Sequence, residues 1–209
     1  MNITTLPCEL ASPPDATGKL VVVLHGRGDS SAGFHWMPRA LGLKGVSYLL
    51  VNAPDLWVGG GRSWYDLPPD HMQGIQRSRK KLEALFSEVF AQGYTPESTA
   101  LFGFSQGCLM TLEWGGRTEL PLAGCCGVSG YVGDVEALHD EMSDAAIARP
   151  WLVTHGRQDP VVPFDRTESQ MELLKMGGLP VDFRAYDKVH TIDPDLPDIR
   201  TFLGRVLGL

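Results

Sequence analysis

Short apolar runs rich in β-branched residues alternate along this chain with longer stretches whose apolar positions recur every third or fourth residue. Segment 19–25, KLVVVLH, is almost continuously apolar, as a strand covered on both faces must be. Segments 46–52, 99–104, 122–129, 151–155 and 181–186 read as further strands, each flanked by turn-forming residues. The clearest helix is predicted over 71–92, where Ile75, Leu82, Leu85, Phe86, Val89 and Phe90 form one stripe and Gly93 is placed to end it. Two more are predicted over about 166–176, before Gly177 and Gly178, and about 196–206. Pro38 interrupts the helical signal of 32–41, which predicts a short helix or two pieces.

Strands alternating with helices predict an α/β protein built on an open, mostly parallel twisted sheet with helices on both faces. The length fits one domain, 1–209. In such sheets ligands bind beyond the carboxyl ends of the strands. Chemistry is therefore expected in the segments that directly follow the six predicted strands.

Charge and cysteine usage narrow the classes. The 18 basic and 25 acidic side chains leave a formal net charge of −7. That works against tight binding to nucleic-acid backbones or anionic lipid. Arg77, Arg79, Lys80 and Lys81, the one dense basic cluster, fall on the predicted 71–92 helix and read as a solvated face. No apolar run approaches the roughly 20 residues of a membrane span, so an integral membrane protein is not expected. Residues 1–10 lack a basic start followed by an apolar core, so no secretory signal is read there. Cys8, Cys108, Cys125 and Cys126 show no CxxC spacing, and reduced thiols in a cytoplasmic protein are the expectation. Neither HExxH nor EF-hand spacing occurs, and segment 25–30 lacks the GK[ST] of a phosphate-cradling loop. No metal or cofactor is implied.

Gly103-Phe104-Ser105-Gln106-Gly107 reads GxSxG, set between a predicted strand and a helical run beginning near Gln106. Such a turn is tight enough to exclude β-carbons two residues either side of the serine, and it lifts the hydroxyl clear of the sheet. A serine nucleophile needs a base, and the base an orienting acid, in the chain order serine, acid, histidine. Of six histidines, only His190 follows every plausible acid and lies just beyond a strand. Asp159, four residues after His155, is the favoured acid and Asp134 its rival. Oxyanion donors are expected from the Gln106 amide and, in the loop after the first predicted strand, the Arg27 amide. His25 and His155 each precede a glycine at a strand end and read as turn-stabilising residues.

These residues resemble the phospholipase/carboxylesterase family of α/β-hydrolases, which includes the acyl-protein thioesterases. LHGRGDS at 24–30, RSWYD at 62–66, GFSQG at 103–107, HGRQDPVVP at 155–163 and the region around His190 occur in the family's order across nearly the whole chain. The resemblance implies the α/β-hydrolase fold, with Ser105 as nucleophile, Asp159 as acid, His190 as base and the Arg27 and Gln106 amides as oxyanion hole. Two positions depart from the pattern. Cys108 stands where a second glycine is usual and is expected to narrow the floor of the site. Val189 replaces the glycine common before the histidine; a β-branched residue disfavours φ > 0, so a different path for that loop is expected.

Only about twenty residues separate Gly130 from Trp151, room for one short helix, so no cap domain and an open mouth are expected. The wall of an apolar groove is assigned to Leu56, Trp57, Val58, Trp64 and Tyr65 of the long 54–69 loop, faced by Val161 and Val162. Trp57 and Trp64 fit ordinary packing as well, Trp64 in the core beneath the site. The expected reaction is acyl transfer to water from a small-molecule or lipid-like acyl ester, with a lysophospholipid or an acylated protein as further candidates. A histidine base must be neutral to act, so activity is expected to fall in mild acid. The alternative is a non-catalytic ligand-binding protein of the same fold, disfavoured because all three triad positions are filled.

Overall fold

The computed structural model describes residues 2–209. Seven strands form one sheet: β1 (Cys8–Ala11), β2 (Lys19–Leu24), β3 (Val46–Val51), β6 (Thr99–Phe104), β7 (Gly124–Val128), β8 (Trp151–Gly156) and β9 (Val181–Tyr186). Their order is β1-β3-β2-β6-β7-β8-β9. All neighbours are parallel except β1, which pairs antiparallel with β3. The chain reverses its direction of winding at β2, and the crevice at such a switch point is where the site is found below.

Alternation along each strand feeds two cores. Leu20, Val22 and Leu24 of β2 pack on the side of α2 (His71–Ala91), α3 (Gln106–Gly115) and α6 (Phe164–Met176). Val21 and Val23 pack on the other, against α1 (Met37–Leu41) and α7 (Leu196–Val206). Cys125 and Cys126 divide between the same two cores. A strand buried on both faces cannot alternate apolar with polar, which is why these runs read as continuous.

The fold departs from the sequence reading in three places. β1 was not predicted: its four residues lie at the sheet edge and are only partly covered. Within the long loop, β4 (Asp55–Leu56) and β5 (Arg62–Ser63) form a small hairpin. The 32–41 stretch forms two pieces, as expected: a single 3-10 turn over Ser31–Phe34 and then α1, with Pro38 in the first turn of α1, where no amide is needed. Two short helices, α4 (Val135–Asp140) and α5 (Asp144–Ala148), replace the single one expected between β7 and β8, each with its own cap. Only these connect the two strands, so no cap domain covers the carboxyl edge. Among the described residues no helix is long and apolar enough to cross a membrane.

Candidate active site

Ser105 follows β6 directly and has φ 54° and ψ −114°, the N-cap position of α3. A non-glycine residue rarely takes such a conformation unless its surroundings impose it. They do. A β-carbon on Gly103 would lie 2.1 Å from the Gly107 carbonyl oxygen, and one on Gly107 would lie 2.1 Å from that of Leu24. The two glycines of the motif therefore let α3 start against β2 and β6 with the serine at the bend.

Ser105 Oγ lies 2.9 Å from His190 Nε2, and His190 Nδ1 lies 2.7 Å from Asp159 Oδ2. His190 comes from the loop after β9 and Asp159 from the loop after β8. With Nδ1–H donating to the carboxylate, Nε2 is free to accept the serine proton. The other carboxylate oxygen accepts the amides of Val161 at 2.8 Å and Val162 at 2.9 Å. Burial alone would push the Asp159 carboxyl up, but the Val162 amide, His190 and the Val161 amide outweigh it and hold the group below its ordinary range. It therefore stays ionised beside the imidazole. Asp134, the rival acid, instead caps α4 by accepting the Ala137 amide at 3.0 Å.

The Arg27 and Gln106 amides have no hydrogen-bond acceptor among the described residues. Side-chain bonds fix the second of them: Gln106 Oε1 accepts from Ser63 Oγ and the Trp64 amide, while Nε2 donates to the Tyr65 carbonyl. The loop carrying Arg27 is pinned by the hairpin, with Gly28 donating to Arg62 and Arg62 to Asp29, each at 2.8 Å. His25 braces its start, donating from Nδ1 to Gly26 at 2.6 Å and accepting the Ala53 amide on Nε2 at 3.0 Å. His155 Nε2 bonds the Val162 carbonyl at 2.9 Å and so steadies the acid loop.

A cavity of about 340 Å³ opens beside Ser105 and Gln106. Val161 and Val162 line it, as expected, together with Pro163. Tyr65 lines it too, as expected, whereas Leu56, Trp57, Val58 and Trp64 lie elsewhere, Val58 being fully exposed. Trp64 is fully buried beneath the site and donates from Nε1 to the His25 carbonyl at 2.9 Å. Trp57 folds back over Arg27, 4.9 Å from its guanidinium carbon, and packs on Gly28. Leu56, on the two-residue strand β4, is 80% exposed. Their places in the wall are taken by Leu67, Pro68, Tyr131, Arg27 and Arg166. Tyr65 lies within the RSWYD segment and Leu67 directly follows it, so the correct loop was identified but, Tyr65 apart, not the side of it that faces inward. Arg166 carried no signal in the sequence, and Tyr131 only that of its segment, which directly follows a predicted strand.

Cys108 is fully buried against Gly127 and Gly130, away from the cavity, so it does not narrow the floor. Burial pushes its thiol up to about 12, which leaves it inert as a nucleophile. Val189 is not among the residues of positive φ, as expected, yet His190 still reaches both partners. Among the described residues no group of three or more His, Cys, Asp or Glu side chains is arranged to hold a metal ion.

Comparison with known proteins agrees with this architecture. A family profile described as Phospholipase/Carboxylesterase matches residues 7–207. Acyl-protein thioesterase 1 of Emericella nidulans is 31% identical over 215 residues, spanning 90% of this chain and 90% of its own. The crystal structure of esterase PE8 superposes with a TM-score of 0.84 at 29% identity, covering 97% of this chain and 99% of that one. That of SOBER1 from Arabidopsis thaliana gives a TM-score of 0.82 at 26% identity, covering 90% and 99%.

Proposed function

Since the chain belongs to the phospholipase/carboxylesterase family and is a hydrolase of the ester-cleaving class, we propose that it works through an acyl-enzyme on Ser105. His190 is the base, Asp159 orients it, and the Arg27 and Gln106 amides receive the oxyanion. The observation that carries the reading is the continuous chain of contacts from Ser105 Oγ through His190 to Asp159 Oδ2, at 2.9 and 2.7 Å.

The geometry supports the following cycle. His190 Nε2 takes the proton as Ser105 Oγ bonds to the acyl carbon, and the carbonyl oxygen becomes an anion within reach of the two free amides. Collapse breaks the bond to the leaving alcohol or thiol, which departs with the proton from His190. Water then repeats the sequence against the acyl-enzyme and regenerates Ser105. Asp159 remains ionised throughout and stabilises the imidazolium.

Carboxylic esters are the first substrate class. Acyl thioesters, including acylated proteins, are the second, favoured by the likeness to acyl-protein thioesterase 1. The four free cysteines support a reducing, cytoplasmic setting.

A fluorophosphonate probe tests the reading. Peptide mapping should place the adduct on Ser105, and Ser105→Ala should stay folded, lose the label and lose at least ~10³-fold in turnover of a 4-nitrophenyl ester. An adduct on another residue, or unimpaired turnover in that variant, overturns it. Matched oxygen and sulfur esters of one acyl chain then rank the two substrate classes.

A further inference from the structure

Two arginines, Arg27 and Arg166, are among the residues that line the cavity beside Ser105, and no aspartate or glutamate is. Arg27 stands in the loop after β2 and Arg166 in the first turn of α6, so separate parts of the fold deliver them to one space. Each lies over an aromatic face, Arg27 over Trp57 at 4.9 Å and Arg166 over Tyr131 at 4.0 Å from the ring centroid. Stacking holds the plane of a guanidinium while leaving the N–H rim open to an acceptor. Neither group is in ion-pairing range of a carboxylate among the described residues. Asp159, the acid of the site, is buried and occupied by His190 and the Val161 and Val162 amides.

This local charge runs against the molecule's average, which is −7. Helix stability does not account for it either. The N-terminal end of α6 favours an acid, which Asp165 supplies, and disfavours the cation that Arg166 adds. Away from Ser105 and Gln106, the remaining wall is built by Leu67, Pro68, Val161, Val162 and Pro163 with Tyr65 and Tyr131. At about 340 Å³ the cavity is near the small end of ligand pockets, which run from roughly 300 to 1,000 Å³.

We infer that the substrate is a compact ester bearing an anionic oxygen group, carboxylate or phosphate, which Arg27 and Arg166 hold while its apolar part lies against Val161 and Leu67. This rests on the ester-hydrolase reading above. Guanidinium forks match the paired oxygens of both anions, and a cationic patch in an acidic protein selects them from neutral esters during encounter as well as on binding. Arg166 is then a specificity-determining residue. Arg27 serves twice, through its side chain and through its amide.

Two pairs of esters test this with the full-length protein. In the first, 4-nitrophenyl pentanoate is compared with mono-4-nitrophenyl glutarate, which puts a carboxylate on the acyl side. In the second, monobutyrylglycerol is compared with butyrylglycerol phosphate, which puts a phosphate on the alcohol side. In at least one pair, kcat/KM should favour the anion by ~10-fold or more at low salt, and the ratio should shrink as ionic strength rises. Arg166→Gln should bring that ratio towards one, Arg166→Lys should restore part of it, and Arg200→Gln, on α7, should leave it unchanged. The pair that responds identifies the side of the scissile bond on which the anion lies. Ser105-dependent turnover with no anion preference in either pair overturns this inference alone. Absence of turnover on all four esters, with no label on Ser105, overturns the ester-hydrolase reading and this one with it.

Discussion

Lys188 and Asp195 form an ion pair buried beneath the loop that carries His190, with side chains 2% and 0% exposed. Lys188 Nζ also donates to the Thr191 carbonyl at 2.7 Å, and Thr154 Oγ1 donates to Asp195 Oδ2 at 2.6 Å. The pair brackets His190 in sequence, two residues before and five after, and ties its loop to β8 through Thr154. Burial pushes the Lys188 ammonium down and the Asp195 carboxyl up, so each group needs the other to keep its charge.

Lys188→Met should therefore cost about 3–5 kcal/mol in urea unfolding, because Asp195 is left buried without its counter-ion. If the loop positions His190, kcat should fall more than KM rises. The double variant Lys188→Met/Asp195→Leu should regain much of the stability, since an apolar pair of similar volume replaces the charges, but not the lost kcat, because the bond to Thr191 is still missing. Wild-type stability in the single variant would show that the pair contributes nothing.

A second expectation concerns acid. His25 is held neutral: its Nε2 accepts the Ala53 amide, and a protonated ring could not. Burial lowers its folded pKa, and that of His155 for the same reason. A histidine lowered on folding contributes stability above its unfolded value of about 6.5, and that contribution is lost as pH falls through the folded value. The melting temperature should thus be nearly level from about pH 8 to 7 and decline below about 6.5. His25→Gln should be less stable at neutral pH and show a shallower decline. Melting temperatures that rise between about pH 6.5 and 5.5 would contradict the sign.

Two glycines should respond oppositely to alanine. At Gly107 a β-carbon meets the Leu24 and His25 carbonyl oxygens at 2.1 and 2.8 Å, so strand and helix must part. Gly107→Ala should cost at least ~3 kcal/mol or prevent folding. At Gly204, inside α7, the nearest atom is Leu43 Cδ2 at 3.6 Å, an ordinary contact. Gly204→Ala should stabilise by about 0.5–1 kcal/mol through reduced freedom of the unfolded chain. Urea midpoints measure both.

The resemblance named in the sequence and the local patterns carried different parts of the picture. Apolar runs located the five interior strands β2, β3, β6, β7 and β8, because strands covered on both faces must be continuously apolar, while the edge strand β9 was read from a run that alternates apolar with polar residues. The serine motif and the rule of chain order selected three side chains that lie within hydrogen-bonding distance of one another. β1 left no pattern, since a four-residue edge strand is held by its pairing with β3 rather than by its own composition. The hairpin of β4 and β5 was equally silent: two-residue strands exist only because Arg62 pairs with Asp29 in the loop after β2.

Local order along the backbone thus determined the strands, the main helices and the residue types brought to the carboxyl edge, because period and turn chemistry act between neighbours in the chain. Tertiary structure alone decided which face of the 54–69 loop turns inward. It sent Trp64 into the core to bond the His25 carbonyl, Trp57 onto Arg27 and Leu56 outwards, and it brought Tyr131 and Arg166 to the cavity from distant segments. An aromatic residue in an irregular loop has no period to aim it. Its direction is set by whichever buried acceptor or ring it meets once the sheet has closed beneath it.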